Sequence, residues 1–395
     1  MTEVSGLEAL LAPQGWAYAS SLPVGTDDLG RYNALFGRDS LITALAVLPA
    51  RPDVARATLR ALAALQGRRE DPELDEEPGK IVHEWWPDTP AHVHERLGWE
   101  ARGGELRHYG SADGTSWFLV VLASLDDPEL SGELEPAWRP AGRWLERALD
   151  RGGGFVRYGP RHAPGGLAQQ GWRDARDPGA PGGHGIVRED GSAPDPPLAD
   201  ADCQAVAYVA LRALASLSGE ARHRARAAEL AARIEAAFGP QTMALEGEGA
   251  EVAGAGSQLG WLLWAGALSP LAAADAADRL SAADILTPFG LRTLSEQHPS
   301  FGPDGYHRGA VWPFDSWLGW GGLRAAGRDD AAEQVRAGVL AALERLGGAP
   351  ELYAVGSNGP ERIGVANQLQ AWTLGAGWAL DGGWDGRAAR LFDPC

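Results

Sequence analysis

The chain has 395 residues, 45% of them hydrophobic and 22% charged, a balance that excludes disorder over most of its length. Acidic residues outnumber basic ones 53 to 35, and the formal charge of −18 argues against a nucleic-acid partner or an anionic membrane surface. Two cysteines, Cys203 and Cys395, exclude a disulfide framework, and neither sits in a zinc-type Cys/His cluster.

No window reaches the roughly 18 apolar residues of a membrane span. The N-terminus has no basic start followed by an apolar stretch, so a soluble cytoplasmic protein is the expectation. Length alone suggests two or three domains. Lys80 is the only lysine, which reads as a bias toward arginine. Sixteen Trp against 8 Phe and 7 Tyr is an excess that asks for a cause.

Apolar residues at three- and four-residue spacing predict helices over 38–49, 51–66, 114–125, 134–150, 202–217, 220–237, 255–267, 270–282, 309–326, 329–346, 368–380 and 384–392. They fall into six pairs with short internal links punctuated by Pro49, Pro52, Gly219, Pro270 and Gly327. Between pairs the connections are long: 67–113, 151–201, 238–254, 283–308 and 347–367. The pattern predicts an all-α (α/α)6 toroid over residues 1–395, six parallel inner helices ringed by six that return. A two-domain all-α arrangement fits the helix pattern equally well.

Polar and aromatic clusters lie in the long connections, before the first helix of each pair. They read YNALFGRDS (32–40), GKIVHEWW (79–86), HYGSADGTSWF (108–118), QQGWRDARD (169–177), GLRTLSEQHP (290–299), YHRGAVWPFDSW (306–317) and PELYAVG (350–356). In a toroid all of them converge at one mouth. That mouth holds the carboxylates Asp39, Glu84, Asp113, Asp174, Asp315 and Glu351 and the cations Arg38, Arg173, Arg292 and Arg308. Its rings are Tyr32, Phe36, Trp85, Trp86, Trp172, Tyr306 and Trp312. No phosphate-cradling loop or GxSxG turn occurs. Carboxylates among flat rings suit a neutral polyol, and two carboxylates can cleave a glycosidic bond as acid and base.

Each residue also has a plainer reading. Asp39 beside Arg38 fits a helix N-terminal pair, Asp113 an N-cap, and Glu351 a first-turn acid. His307 fits a hydrogen-bonded structural histidine. The acidic stretch 70–79 reads as a solvated loop. Trp117, Trp261, Trp264, Trp317, Trp320, Trp372 and Trp378 read mainly as core.

Together these motifs resemble the catalytic domain of the bacterial amylo-α-1,6-glucosidase (glycogen-debranching) family. Its relatives include (α/α)6-barrel glucosidases, glucoamylases and mannosylglycerate hydrolases. The resemblance rests on YNALFGRDSLITAL, GKIVHEWW, YGSADGTSWFL, QGWRDARD with the following DGS, GLRTLS, YHRGAVWPFDSW, and PELYAVG followed by LQAWTLGA. They stand in family order from about residue 16 to 380.

The resemblance favours the toroid and implies Asp113 as general acid and Glu351 as general base. It implies that Arg38 and Asp39 hold the non-reducing-end sugar, with Trp172, Asp174, Tyr306, His307, Arg308 and Trp312 completing that subsite. Gln370 and Trp372 lie just beyond the base loop. Tyr32, Phe36, Glu84 and Arg173 join the substrate-binding set as neighbours in the same motifs. No metal and no cofactor is implied; the partner is a carbohydrate, and the oligomeric state is not legible.

The chain departs from the family pattern in three places. FGRDS begins by residue 36, leaving no room for the β-rich N-terminal domain of longer relatives. Asp202, Cys203 and Gln204 replace a common Glu–Val–Gln, and Gly114, Thr115 and Ser116 follow the acid. The expected function is an inverting, exo-acting α-glucosidase on α-glucan oligosaccharides or branch stubs. A hydrolase of a small glucoside or mannoside, such as a glycosylglycerate or a disaccharide, is the alternative. A non-catalytic sugar-binding barrel is the second.

Overall fold

A helix that is apolar on every side must be surrounded, whereas an amphipathic one can face water. The computed structural model, which describes residues 3–21, 32–89, 99, 101–162, 166–174 and 184–392, sorts its helices on this basis. Six are buried along most of their length: α1 (Gly37–Ala46), α3 (Gly114–Leu125), α6 (Ala201–Ser218), α8 (Gln258–Ala265), α10 (Pro313–Ala325) and α12 (Ala371–Gly382). Each touches the next in this order, and α12 returns to α1, so the ring closes. The (α/α)6 toroid predicted from the helix pairs is the observed architecture.

Five return helices lie outside the ring: α2 (Pro52–Ala64), α5 (Glu135–Arg151), α7 (Ala221–Ala237), α9 (Pro270–Leu280) and α11 (Asp329–Leu346). A short α4 (Pro128–Glu133) precedes α5. The α5 pattern is typical: Ala137, Trp138, Ala141, Trp144, Leu145 and Ala148 are buried at helical spacing while the opposite face is charged. Gly260 and Gly322 let α8 and α10 approach more closely than side chains allow. A Cβ on Gly260 would stand 2.6 Å from the Gly319 Cα, and one on Gly322 would stand 2.5 Å from the Gly260 carbonyl.

The sixth outer helix, expected over 384–392, does not form. Gly383 and Gly386 adopt left-handed φ angles of 74° each and break the run. Only Ala389–Phe392 is helical (α13), and it contacts α6. The intervening segment crosses the C-terminal ends of the inner helices. Trp384 Nε1 donates to the Leu45 carbonyl (2.8 Å), Trp317 Nε1 to Trp384 O (2.7 Å) and Trp264 Nε1 to Asp385 O (2.8 Å). The vacant outer position goes to the N-terminal segment. Its 3-10 turn Leu7–Leu10 lies on α12, and Glu8 pairs with Arg51 at the start of α2.

The long connections contain four small antiparallel sheets. The one at the site joins β1 (Leu35–Phe36), β2 (Glu84–Trp86) and β3 (Leu106–His108), with Phe36, Glu84 and His108 in register. The acidic stretch 70–79 is not a solvated loop: Asp75, Glu76 and Glu77 are buried, as is Lys80. Glu76 pairs with the nearby Arg69 (3.3 Å), while the cations on Glu77, Arg151 and Arg161, arrive from distant segments. Among the described residues no helix is long and apolar enough to cross a membrane.

Candidate active site

The inner helices all begin at one end of the ring, and the residues that start them bond to one another there. Asp113 occupies the N-cap position of α3, yet its carboxylate makes no cap bond. Ser111 Oγ does that instead, accepting from Gly114 N (3.0 Å) while donating to Asp113 Oδ1 (2.8 Å). The carboxylate is thereby free to receive Arg38 from the first turn of α1, whose Nη1 donates to Oδ1 (3.0 Å) and Oδ2 (3.3 Å). The other terminal nitrogen of Arg38 pairs with Asp174. Asp113 is 1% exposed and Arg38 3%.

Burial alone would lower the basicity of Arg38, but Asp113, Asp174 and Asp39 surround the guanidinium and keep it charged. Asp39 shows the reverse balance. Burial pushes its carboxyl up to about 8; Arg38 opposes that, while Asp174, Glu351 and Asp113 add to it. Burial likewise raises Asp174, with Arg38 pulling against it. Three carboxylates, Asp39, Asp113 and Asp174, therefore surround one guanidinium, and Glu351 adds its field at Asp39.

Glu351 is not a first-turn acid, because no helix begins there. Its carboxylate is 3% exposed. It accepts from Tyr306 Oη (2.6 Å), Asn367 N (3.0 Å) and Asn367 Nδ2 (3.0 Å). Glu84 accepts from Trp86 Nε1 (2.6 Å), and His83 Nε2 stands 3.8 Å from Glu84 and 4.0 Å from Asp174. Burial, then Arg38 and Lys80, keep His83 neutral well below the usual imidazole range. Tyr32 meets Phe36 edge-on at 5.4 Å, and Phe36 meets His83 at 5.8 Å.

A continuous aromatic wall stands beside the carboxylates. His307 stacks on Trp312 at 5.0 Å, and Trp172 meets Trp312 edge-on at 5.5 Å. Trp372 stacks on Phe314 at 4.0 Å and meets Trp312 at 5.7 Å. Trp312 Nε1 donates to Tyr306 O (2.7 Å). His307 is no hydrogen-bonded structural histidine: among the described residues neither ring nitrogen has a partner. Burial, with Arg173 and Arg38 nearby, holds it neutral far below the usual range. Trp172 Nε1, Trp372 Nε1 and Gln370 Oε1 are also buried without a hydrogen-bond partner. Buried polar atoms are usually satisfied, and several orphans among these rings fit a place where ligand hydroxyls complete the bonding.

The remaining sequence candidates stand further back. Arg173 is turned into the barrel, donating to Asp202 (3.0 Å), Thr293 O (3.0 Å), His307 O (3.4 Å) and Ser257 Oγ (2.9 Å), so it braces the mouth from beneath. Asp315 is buried on Trp261 Nε1 (2.6 Å). Arg308 is half-buried and donates to Ser300 O (3.3 Å). Arg292 pairs with Glu296 and donates to Val355 O (3.1 Å), and among the described residues its buried Nε and Nη1 have no partner. The end of the QQGWRDARD motif, residues 175–177, lies outside the described residues.

Sequence reasoning passed over Ser111 and Asn367, which orient the two carboxylates; Ser111 sits two residues before Asp113, and Asn367 just before the quoted LQAWTLGA. His83 lay inside a quoted motif without being singled out. Among the described residues no set of three or more His, Cys, Asp or Glu side chains is arranged to hold a metal ion.

Residues 143–354 match the mannosylglycerate hydrolase MGH1-like glycoside hydrolase domain family. The fold is similar to GH63 mannosylglycerate hydrolase from Thermus thermophilus in complex with Tris and D-glycerate. The TM-score is 0.69 at 17% identity, covering 94% of this chain and 97% of that one. The same enzyme in complex with glucose gives 0.64 at 20% identity, with 94% and 97% covered. No curated protein matches the chain. The matches support a glycoside hydrolase of the mannosylglycerate hydrolase type and lend nothing specific to the amylo-α-1,6-glucosidase expectation.

Proposed function

The chain belongs to the mannosylglycerate hydrolase MGH1-like glycoside hydrolase family, and from that premise we propose that it hydrolyses a small α-glycoside with an acidic aglycone, a glucosyl- or mannosylglycerate, with inversion. One observation carries the reading. Two buried carboxylates far apart in sequence, Asp113 and Glu351, are each oriented by partners of their own and sit in one electrostatic cluster beside an aromatic wall.

In this mechanism Asp113 protonates the glycosidic oxygen. Glu351 accepts a proton from the water that attacks the anomeric carbon from the opposite face. Inverting pairs stand roughly 6.5–9.5 Å apart to admit that water. Glu351 accepts three hydrogen bonds, the bonding of an ionised carboxylate able to act as base. Beside the guanidinium shared by Asp113 and Asp174, burial pushes the Asp39 carboxyl up to about 8, so Asp39 carries a proton at neutral pH. A hydroxyl that draws Arg38 toward the sugar loosens its hold on the Asp113 carboxyl and frees it to face the glycosidic oxygen.

Trp172, His307 and Trp312 supply ring faces for the sugar's C–H surface, and Arg38, Asp39, Asp174 and Gln370 meet its hydroxyls. Arg292, whose Nε and Nη1 have no partner among the described residues, is the cation this reading assigns to a carboxylate on the aglycone. The Thermus neighbours hold D-glycerate and glucose, ligands that match the two halves of such a substrate.

A panel of glucosylglycerate, mannosylglycerate, maltooligosaccharides, isomaltose and trehalose, followed by NMR of the first anomer released, tests this. The expected result is preferential cleavage of a glycosylglycerate with initial release of the β-anomer. Cleavage of maltooligosaccharides or isomaltose with no turnover of either glycerate would restore the α-glucan reading. Release of the α-anomer would rule out inversion.

A further inference from the structure

The buried lysine has surroundings that the catalytic reading does not use. Lys80 lines a cavity of about 290 Å³ together with Arg151, Arg157, Arg161, Ala112 and Gln170. Lys80 is 3% exposed. Among the described residues its Nζ makes one long hydrogen bond, to Asp75 O (3.3 Å), and stands 5.8 Å from the Trp144 ring. Four cations and one carboxylate, Glu77, line the cavity, in a chain whose overall charge is −18. Glu77 is taken up by Arg151 (2.7 Å) and Arg161 (3.3 Å). Burial outweighs the nearby Asp75 and Glu77 and pulls the Lys80 ammonium below its usual range, so its charge is under-compensated.

We propose that this cavity binds a phosphate group, free or carried by a small sugar ester, on Lys80, Arg157 and Arg161. Arg161 also pairs with Glu70 (2.8 Å), and Arg157 donates to the carbonyls of Gly152, Pro197 and Gly247, so an anion competes with these for the two guanidinium groups and gains most from Lys80. Donors from different chain segments suit a tetrahedral oxyanion with three acceptor oxygens, and the volume exceeds the needs of a halide. The cavity stands directly behind the proposed general acid. Ala112, in its wall, donates its N–H to Gln170 O (2.8 Å), and Gln170 Nε2 donates to Asp75 (3.3 Å) and Gly159 O (3.1 Å). An anion drawing on Lys80 therefore acts on the segment that holds Asp113. This second consequence rests on the assignment of Asp113 as the acid; the binding does not.

The test is isothermal titration of the full chain with inorganic phosphate and with a hexose phosphate at fixed ionic strength, with chloride as control. The variants are Arg161→Ala and Lys80→Met. Saturable phosphate binding, absent with chloride and weakened at least about tenfold in Arg161→Ala, is expected. Tighter binding of the hexose ester assigns the ester as ligand; equal binding assigns the free ion. Lys80→Met should behave likewise, and Arg161→Ala, altered at the half-exposed rim, keeps the test decisive where the buried change prevents folding. Phosphate binding no tighter than chloride, or undiminished in Arg161→Ala, overturns the site. Binding that leaves glycoside turnover unchanged overturns the link to Asp113 alone.

Discussion

Replacing Glu351 with glutamine exchanges one oxygen for an NH2 group in a side chain that is 3% exposed and bonded to three donors. The amide fits only one way round. Its oxygen must face the two N–H donors of Asn367, and its NH2 must face Tyr306, whose hydroxyl oxygen can accept. The Tyr306 hydroxyl then turns its proton to Tyr32, its other side-chain partner, so the fold should survive with a change in stability of about 1 kcal/mol. On the proposed mechanism the base is lost completely. Positioned acid–base groups contribute about 10²–10⁴ in rate, which corresponds to roughly 3–5 kcal/mol of transition-state stabilisation. Steady-state kinetics on the best glycosylglycerate should show kcat falling by that factor with KM within about threefold of the parent. A Glu351→Gln protein that is folded by circular dichroism and retains more than about a tenth of kcat would refute the assignment of Glu351 as base.

Other consequences can be measured without a substrate. Asp39 stays protonated to about pH 8 in the fold but ionises near 3.8 when unfolded. Its contribution is therefore present below about pH 4 and lost as pH rises through 8, an upper limit of about 6 kcal/mol. Asp202, raised to about 7 by burial, works in the same direction. Melting temperatures between pH 5 and 9 should fall less steeply in Asp39→Asn than in the parent; parallel curves would contradict this. Gly322→Ala drives a Cβ to 2.5 Å from the Gly260 carbonyl and should lower stability by about 1–3 kcal/mol in urea titration. Leu391→Ala empties a fully buried position in the terminal segment and should remove about 2–5 kcal/mol; a loss under about 1 kcal/mol would mean that this segment does not seal the ring.

The helix pairs were legible because burial on all sides and burial on one side leave different patterns, and the structure uses both. The last pair failed because its window kept helical spacing while Gly383 and Gly386 took conformations that end a helix. Within 255–267, the start is spent on a turn that places Ser257 against Arg173, so α8 is shorter than its apolar run. The buried character of Glu77 could not be read locally, because Arg151 and Arg161 reach it from beyond α3. Arg173 shows the converse difficulty. It stands between Trp172 and Asp174 in one motif, yet its guanidinium points at Asp202 and Ser257, and nothing in the linear order separates a ligand-facing arginine from a bracing one.

The ambiguity between helix cap and catalyst has a physical root in the toroid. Every inner helix presents its N-terminus, the positive end of its dipole, to the same mouth, and acids favour that position for either purpose. Asp39, Asp202 and Asp315 occupy first turns, and Asp113 and Asp200 occupy N-cap positions. Sequence alone treats them as equivalent. Bonding distinguishes them: Asp200 caps its own helix, accepting from Cys203 N (2.6 Å) with one oxygen while Tyr158 Oη donates to the other. Asp113 leaves that task to Ser111, two residues earlier. A serine placed to cap in an aspartate's stead frees the carboxylate for a partner outside the helix, and Ser111→Ala should therefore pull Asp113 back toward Gly114 N. The separation of cap from carboxylate, rather than the presence of an acid at the helix start, marks Asp113 among the five.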